Sequence, residues 1–525
     1  MSIVKVLIGA ALFVRWGVAD TTFKSRPDLA PVKLNITQAC PESGCAPGYY
    51  FVAPFNGHAD QLNYHPAQPG PYILTDSGEV VWSGFTYYSP WNANFHASRW
   101  NGQDVLVCFE GRHNGPHGHG HGHHTFLSQH YDTIRELRAG GHYLSDKHEF
   151  IIVNEQTALI QIYQPVQRNL SEYGGTDAQT WVVDVIFQEL DIQTGEVIFQ
   201  WHSLDHVSPN DSKLPLPQGL AGTGHNSSTA WDYFHINSVV KGDDGHYLLS
   251  ARHASTIFKI NGTDGSIIWR VGGNRSDFKL GKDVEFGFQH HARYLPGGND
   301  TVDLISLFDN SVYGSESNGK PKDVKIFDYS RGKYIALDHR RHEAKLVQAF
   351  LPPNNSILSK SQGSLQTIPG GNVLINWGSE GQITEYDPQG KILFHAHLDS
   401  GRLANNVQNY RAFKFNWTGY SPETPALVAH HDGGAVKLYV SWNGDTRVAS
   451  WRFTGSKAKA DGGKIKVFSK AATRAGFETV LEVPVSGLDI KSTTVSVEAL
   501  GENGQVIARS QAVRITPAIH SSTGQ

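Results

Sequence analysis

Short apolar strands alternate along the chain with Asp/Gly turns, in a recurring unit of an apolar run, a polar turn and a second run ending in an aromatic residue. Tyr72–Trp82 (YILTDSGEVVW), Phe187–Trp201 (FQELDIQTGEVIFQW), Ile257–Trp269 (IFKINGTDGSIIW) and Ile383–Phe394 (ITEYDPQGKILF) are copies of it. In each, Asp and Gly supply the left-handed positions of a hairpin turn and the flanks alternate as strands do. Complementary strand pairs lie between the copies, at His235–Arg252, His290–Asp309 and Ser364–Trp377. A spacing of roughly 40–50 residues per unit is that of four-stranded propeller blades, each of which buries its faces only against its neighbours. The pattern predicts an all-β fold, a β-propeller of about six blades over residues 20–424. From about Pro425 evenly spaced alternating strands replace the hairpins, which predicts a β-sandwich over 425–525, partly packed on the propeller.

Composition narrows the function classes. Charged residues make up 18% and the net charge is −4, which argues against a nucleic-acid tract or a polybasic membrane patch and points to a small-molecule or surface substrate. Residues 1–19 read as a signal peptide: Lys5, the apolar run Val6–Val14, then Gly17-Val18-Ala19 before a mature start at Asp20. No later segment reaches the roughly twenty apolar residues of a span, so no stable membrane insertion is expected. Acceptor sequences at Asn35, Asn169, Asn210, Asn226, Asn261, Asn274, Asn299, Asn354 and Asn416 predict an N-glycosylated protein of the secretory lumen or exterior. Among three cysteines, Cys40 and Cys45 can close a small loop, or Cys108 can pair with either. The stretch His117–His124 (HGHGHGHH) reads as a solvated low-complexity loop, and no metal or cofactor is expected.

Chemistry in a propeller collects where the innermost strands begin, at the central channel. Trp231-Asp232-Tyr233-Phe234-His235-Ile236-Asn237 opens one such strand, and alternation places His235 and Asn237 on one side. Arg252 and His253 end its partner strand, and Phe286-Gly287-Phe288-Gln289-His290-His291 opens the next blade. His235, Asn237, Arg252, His290 and His291 are the candidate catalytic groups; His253, Trp231, Tyr233 and Phe288 are candidate substrate contacts. Converging imidazoles and a guanidinium suit anion stabilisation, proton transfer or nucleophilic attack. Each residue taken alone has a structural alternative, a strand-end hydrogen bond for a histidine or inter-blade packing for an aromatic.

Trp231–Gly272, Phe286–Asn310, Ser361–Asp387 and Asn409–Ala426 resemble the fungal branch of the arylsulfotransferase-like family. Bacterial members share His-x-Asn, an Arg before His, and a Gln-His pair one blade later. The resemblance implies that His290 matches a transiently sulfated histidine and that His235, Asn237 and Arg252 match groups holding the sulfuryl oxygens. In the family phrase Asp follows Gln-His, and here His291 stands in its place. Other similar fungal proteins are hetero-Diels-Alderases of tropolonic sesquiterpene biosynthesis. That branch implies the preferred expectation: dehydration of a hydroxymethyl phenol or tropolone to a quinone methide, then cycloaddition with a terpene polyene such as humulene. Sulfuryl transfer from an aryl sulfate to a phenol is the alternative expectation, and a non-catalytic binding propeller is a third. The sequence leaves the oligomeric state open.

Overall fold

The computed structural model describes residues 21–56, 66–89, 91–115, 117–314, 323–399 and 407–518; the expected leader and its cleavage point lie outside them. The hairpins read from the sequence are outer strand pairs of antiparallel blades arranged around a channel. Blade 1 is Asn92–Trp100, Gln103–Asn114, His119–Leu127 and Thr133–Leu137, and blade 2 is Phe150–Val153, Thr157–Gln167, Trp181–Asp191 and Val197–His202. Blade 3 is Ile236–Lys241, Tyr247–Ala251, Thr256–Ile260 and Ile267–Gly272. Blade 4 runs His290–Tyr294, Val302–Asp309, Arg331–Asp338 and Glu343–Phe350, with Lys279–Leu280 added at its rim. Blade 5 is Ser364–Thr367, Val373–Asn376, Gln382–Tyr386 and Ile392–His397, with Asn35–Gln38 outside.

Blade 6 closes the ring from both ends of the propeller sequence. Its inner strand Phe413–Phe415 pairs with Tyr49–Phe51, which is followed outward by Tyr72–Leu74 and Val80–Ser83. The core lies between blades: Trp201, buried, packs on Phe187 and sends its Nε1–H to the Gly265 carbonyl of the next blade at 3.0 Å. Such contacts satisfy the indole while burying its rings.

Beyond the ring, strands between Ala426 and Pro517 form an eight-stranded, nearly closed barrel-like sheet. The two layers of the expected sandwich are joined by Val513–Pro517, which pairs with Ala426–His431 on one side and Thr493–Leu500 on the other. This unit sits on blade 6. Asn443 accepts the Ser83 N–H at 2.8 Å and donates to its carbonyl at 3.0 Å, and Phe23 packs on Phe477 at 4.4 Å.

His117–His124 is not the solvated loop its composition suggests. His119–Leu127 is a strand paired with Gln103–Asn114, and His119 and His124 are buried. The His/Gly alternation is a strand's period of two, and the glycines sit where neighbours approach closely. A Cβ on Gly122 would lie 2.1 Å from the Glu110 carbonyl oxygen, and one on Gly120 would lie 2.9 Å from Lys147 Cβ.

The disulfide joins Cys40 and Cys45, with Cα atoms 5.8 Å apart, and Cys108 is a buried thiol. All nine acceptor asparagines are exposed except Asn261, which is half-buried. Among the described residues no helix is long and apolar enough to cross a membrane.

Candidate functional site

Where the inner strands of blades 2, 3 and 4 begin, four imidazoles meet. His235 stacks on His253 at 4.5 Å between ring centres, His148 meets His235 edge-on at 4.8 Å, and Tyr410 lies 5.4 Å from His148 and 6.5 Å from His290. His148, His235, His253 and His290 are all nearly fully buried. Burial, which penalises the cation, holds His235 down to about 3 and the other three well below 6.5, so all four are neutral at pH 7.

Their partners fix which nitrogen carries the proton. His235 Nδ1–H donates to Asp232 Oδ2 at 2.5 Å, His253 Nδ1–H to the Asp232 carbonyl at 2.6 Å, and His148 Nδ1 contacts Asp146 Oδ1. His290 Nδ1 meets Asn310 Oδ1 at 2.7 Å. The Asn310 amide is oriented unambiguously, since its Nδ2 donates to the carbonyls of Ser359 at 3.1 Å and Gln362 at 2.9 Å. Its oxygen must therefore accept from His290 Nδ1–H, which leaves Nε2 with a lone pair.

Arg252 supplies the charge. It donates from Nη2 to the Lys360 carbonyl at 2.9 Å and lies 4.9 Å over the Tyr313 ring, and its Nε has no hydrogen-bond partner among the described residues. No carboxylate among the described residues forms an ion pair with it, although it is only 7% exposed. A buried cation without a counter-ion is an anion site in waiting. Arg252 is also the strongest nearby charge depressing His290, after burial itself.

Asp232 organises the other side. Its Oδ2 accepts from His235 and, at 2.9 Å, from His119 Nε2, while Oδ1 accepts the His235 N–H at 3.1 Å. Burial opposes its ionisation, but His235, His253 and His119 outweigh that and hold it well below the usual carboxylate range. His119, Asp232 and His235 place ligand atoms within 4.8 Å of one another, a two-histidine, one-carboxylate set able to take a divalent metal. The hydrogen bonds already satisfy Asp232, so the set is also complete as a carboxylate-bridged histidine pair.

The sequence-derived residues divide. His235, Arg252, His253 and His290 share this chamber. Asn237 lies beneath it, donating to the Gln289 carbonyl at 2.7 Å and tying blade 3 to blade 4. His291 faces another way: a β-bulge in the strand pairing and a left-handed backbone (φ 56°) turn its ring to donate to the Leu365 carbonyl at 2.9 Å, beside a separate cavity. Trp231 and Tyr233 are buried between blades, with their polar atoms on the carbonyls of Leu214 and Val207. Phe288 packs against Tyr313 at 5.6 Å, behind Arg252.

Sequence reasoning missed His119, His148, Asp232, Asn310 and Tyr410. His148 had a usable signal, since Asp146-Lys147-His148 opens an inner strand as Asp232 to His235 does. Asn310 follows the second strand of its blade, where Arg252 follows that of blade 3.

Comparison with known proteins gives one family. The family model described as Arylsulfotransferase (ASST) matches residues 96–399, more than half of the chain. No curated protein matches. A Bacteroides caccae protein of unknown function is 11% identical, with 70% of this chain and 98% of that chain covered and a TM-score of 0.38. A mutant of the GH43 protein BlXynB from Bacillus licheniformis is 10% identical over 81% and 91%, at 0.31. A Penicillium chrysogenum alpha-L-arabinanase is 9% identical over 68% and 90%, at 0.30. Scores this low carry no functional argument.

Proposed function

Because this chain belongs to the arylsulfotransferase (ASST) family, we propose that it transfers a sulfuryl group from an aryl sulfate to a phenolic hydroxyl through a sulfo-histidine at His290. One observation carries the reading: a buried, neutral His290 with its proton locked on Nδ1 by Asn310, beside Arg252, which has no counter-ion among the described residues. In the first step the His290 Nε2 lone pair attacks sulfur, the N–S bond forms, and the S–O bond to the aryl group breaks. The aryloxide leaves with the bonding electrons. Arg252 stabilises the sulfuryl oxygens as charge redistributes. In the second step the acceptor oxygen attacks sulfur, the N–S bond breaks, and the acceptor proton passes to His235 Nε2. The imidazolium so formed is stabilised by Asp232. No step draws on a nucleotide donor or a metal.

The cycloaddition expectation came from the resemblance to the hetero-Diels-Alderase branch and from His291 in place of the family Asp, with Trp231 and Tyr233 among the pocket walls. Those side chains lie in another cavity and in the inter-blade core, so sulfuryl transfer is the better supported reading. The secretory location and glycans remain part of the proposal, consistent with the exposed acceptor asparagines.

Pre-steady-state mixing with an aryl sulfate and no acceptor tests the reading. One phenol per enzyme should appear in a burst, with one sulfuryl group on His290 by mass spectrometry. His290→Ala should abolish both. His235→Ala should keep the burst and slow turnover with a phenol acceptor by roughly 10²-fold. No burst and no adduct, with stereoselective adduct formation from a hydroxymethyl aromatic and a polyene, would overturn it in favour of cycloaddition.

A further inference from the structure

A second cavity, of about 710 Å³, occupies the other end of the channel, within the size range of sites for small organic ligands. The inner strands of blades 1, 2, 4, 5 and 6 supply its walls, which are largely apolar. The ionised side chains on its lining are Glu149, Arg293 and Arg411. Glu149 bridges the two guanidinia, with Oε1 2.6 Å from Arg411 and Oε2 2.8 Å from Arg293. Arg411 is committed further, donating to the Asn237 carbonyl at 2.7 Å. Two cations on one carboxylate leave a surplus positive charge on an apolar cavity, and buried charge is normally paired.

The histidines of this cavity add a second demand. His96 Nδ1 bonds the Asn94 carbonyl at 2.7 Å and His291 Nδ1 the Leu365 carbonyl at 2.9 Å, and both rings lie within 6 Å of the Phe413 ring. Each therefore keeps its lone pair on Nε2. That of His291 is buried with no hydrogen-bond partner among the described residues, so it lacks a donor.

We propose that this cavity is a binding site, separate from the His290 chamber, for an apolar organic monoanion that carries a hydrogen-bond donor. The acidic group sits on Arg293, the more exposed of the two guanidinia. The apolar body lies along Phe413 and Leu365, and the donor reaches His291 Nε2. The site does not depend on sulfuryl chemistry in the opposite chamber.

Anilinonaphthalene sulfonate, an apolar monoanion with an N–H donor, is the probe, followed by fluorescence titration of the intact protein. At least one molecule should bind per chain. Neutral phenylnaphthylamine, which lacks the sulfonate, should bind about tenfold more weakly or worse. Arg293→Gln leaves the Glu149–Arg411 pair neutral and should weaken the sulfonate probe to a similar extent, while Arg293→Lys should restore it to within about threefold. Ser98→Trp, at a partly exposed wall position, should block the cavity without disturbing the core. Arg252→Gln, which disables the anion group of the opposite chamber, should leave the binding that depends on Arg293 in place, with one molecule per chain. Wild-type binding in both Arg293→Gln and Ser98→Trp, equal affinity for the neutral probe, or loss of binding in Arg252→Gln would each overturn the proposal.

Discussion

At the scale of single residues, Asn310 fixes which nitrogen of His290 carries the proton. Asn310→Ala removes the one acceptor for His290 Nδ1–H among the described residues, lets the proton move to Nε2, and should slow the sulfuryl burst by roughly 10²-fold, beyond the about 1–3 kcal/mol that melting shows for the Ser359 and Gln362 carbonyls left without their donor. Asn310→Asp keeps an acceptor for His290 and adds a charge, but it turns a carboxylate oxygen towards the Ser359 and Gln362 carbonyls, so melting should fall as well. It should retain the burst but raise the pH at which His290 protonates, so that the acid limb of the burst-rate profile moves upward. Stopped-flow bursts across pH distinguish this from simple loss of packing, which would leave the profile in place. His290, His235 and Arg252 were legible because they stand in recognisable phrases at strand ends. Asn310 and Asp232 were not, because a positioning residue is defined by its partner across the fold. His291 was misleading for a related reason: sequence adjacency to His290 says nothing of a bulge that sends the two rings to different chambers.

At the scale of elements, the Asp/Gly hairpins were readable because two-residue periodicity and turn chemistry are local. The His/Gly hairpin of blade 1 obeys the same periodicity, yet its composition resembles a linker. Its glycines matter through what faces them. Gly122 pairs with Gly111 across the ladder, and a side chain at either would strike the opposing backbone. Gly122→Ala should cost about 1–3 kcal/mol as an overpacked contact. It should also displace His119 from Asp232, so that thermal melting shows the loss and turnover falls further than stability alone explains. Unaltered melting would show that the two strands of the hairpin are free to move apart at this point.

At the scale of the whole molecule, the blade count follows from the repeat, whereas the closing strand does not, since nothing local in Phe413–Phe415 names Tyr49–Phe51 as its partner. Buried or half-buried histidines also extend well beyond the His290 chamber. Burial holds His96 to about 4 and His113, His124 and His235 to about 3, against 6.5 in the unfolded chain. For these depressed groups the unfolded state binds the protons, so stability is full above about pH 6.5 and declines as pH falls towards 3. Each group contributes about 2 kcal/mol of loss by pH 5. Scanning calorimetry from pH 7.5 to 5 should therefore show a steep fall in melting temperature; a flat profile would mean that these imidazoles are hydrated in solution. The closing strand has a bearing on biosynthesis. A chain emerging from the ribosome carries Tyr49–Val52 as an open sheet edge until residue 415 is available to cover it. Five blades must wait for a sixth whose halves are made first and last, and this late pairing exposes the nascent protein to edge-to-edge association. The asparagine acceptors between residues 35 and 354 are all synthesised before the edge is covered, so if they are glycosylated during translocation, as proposed above, those bulky polar groups would shield the unfinished ring while it waits.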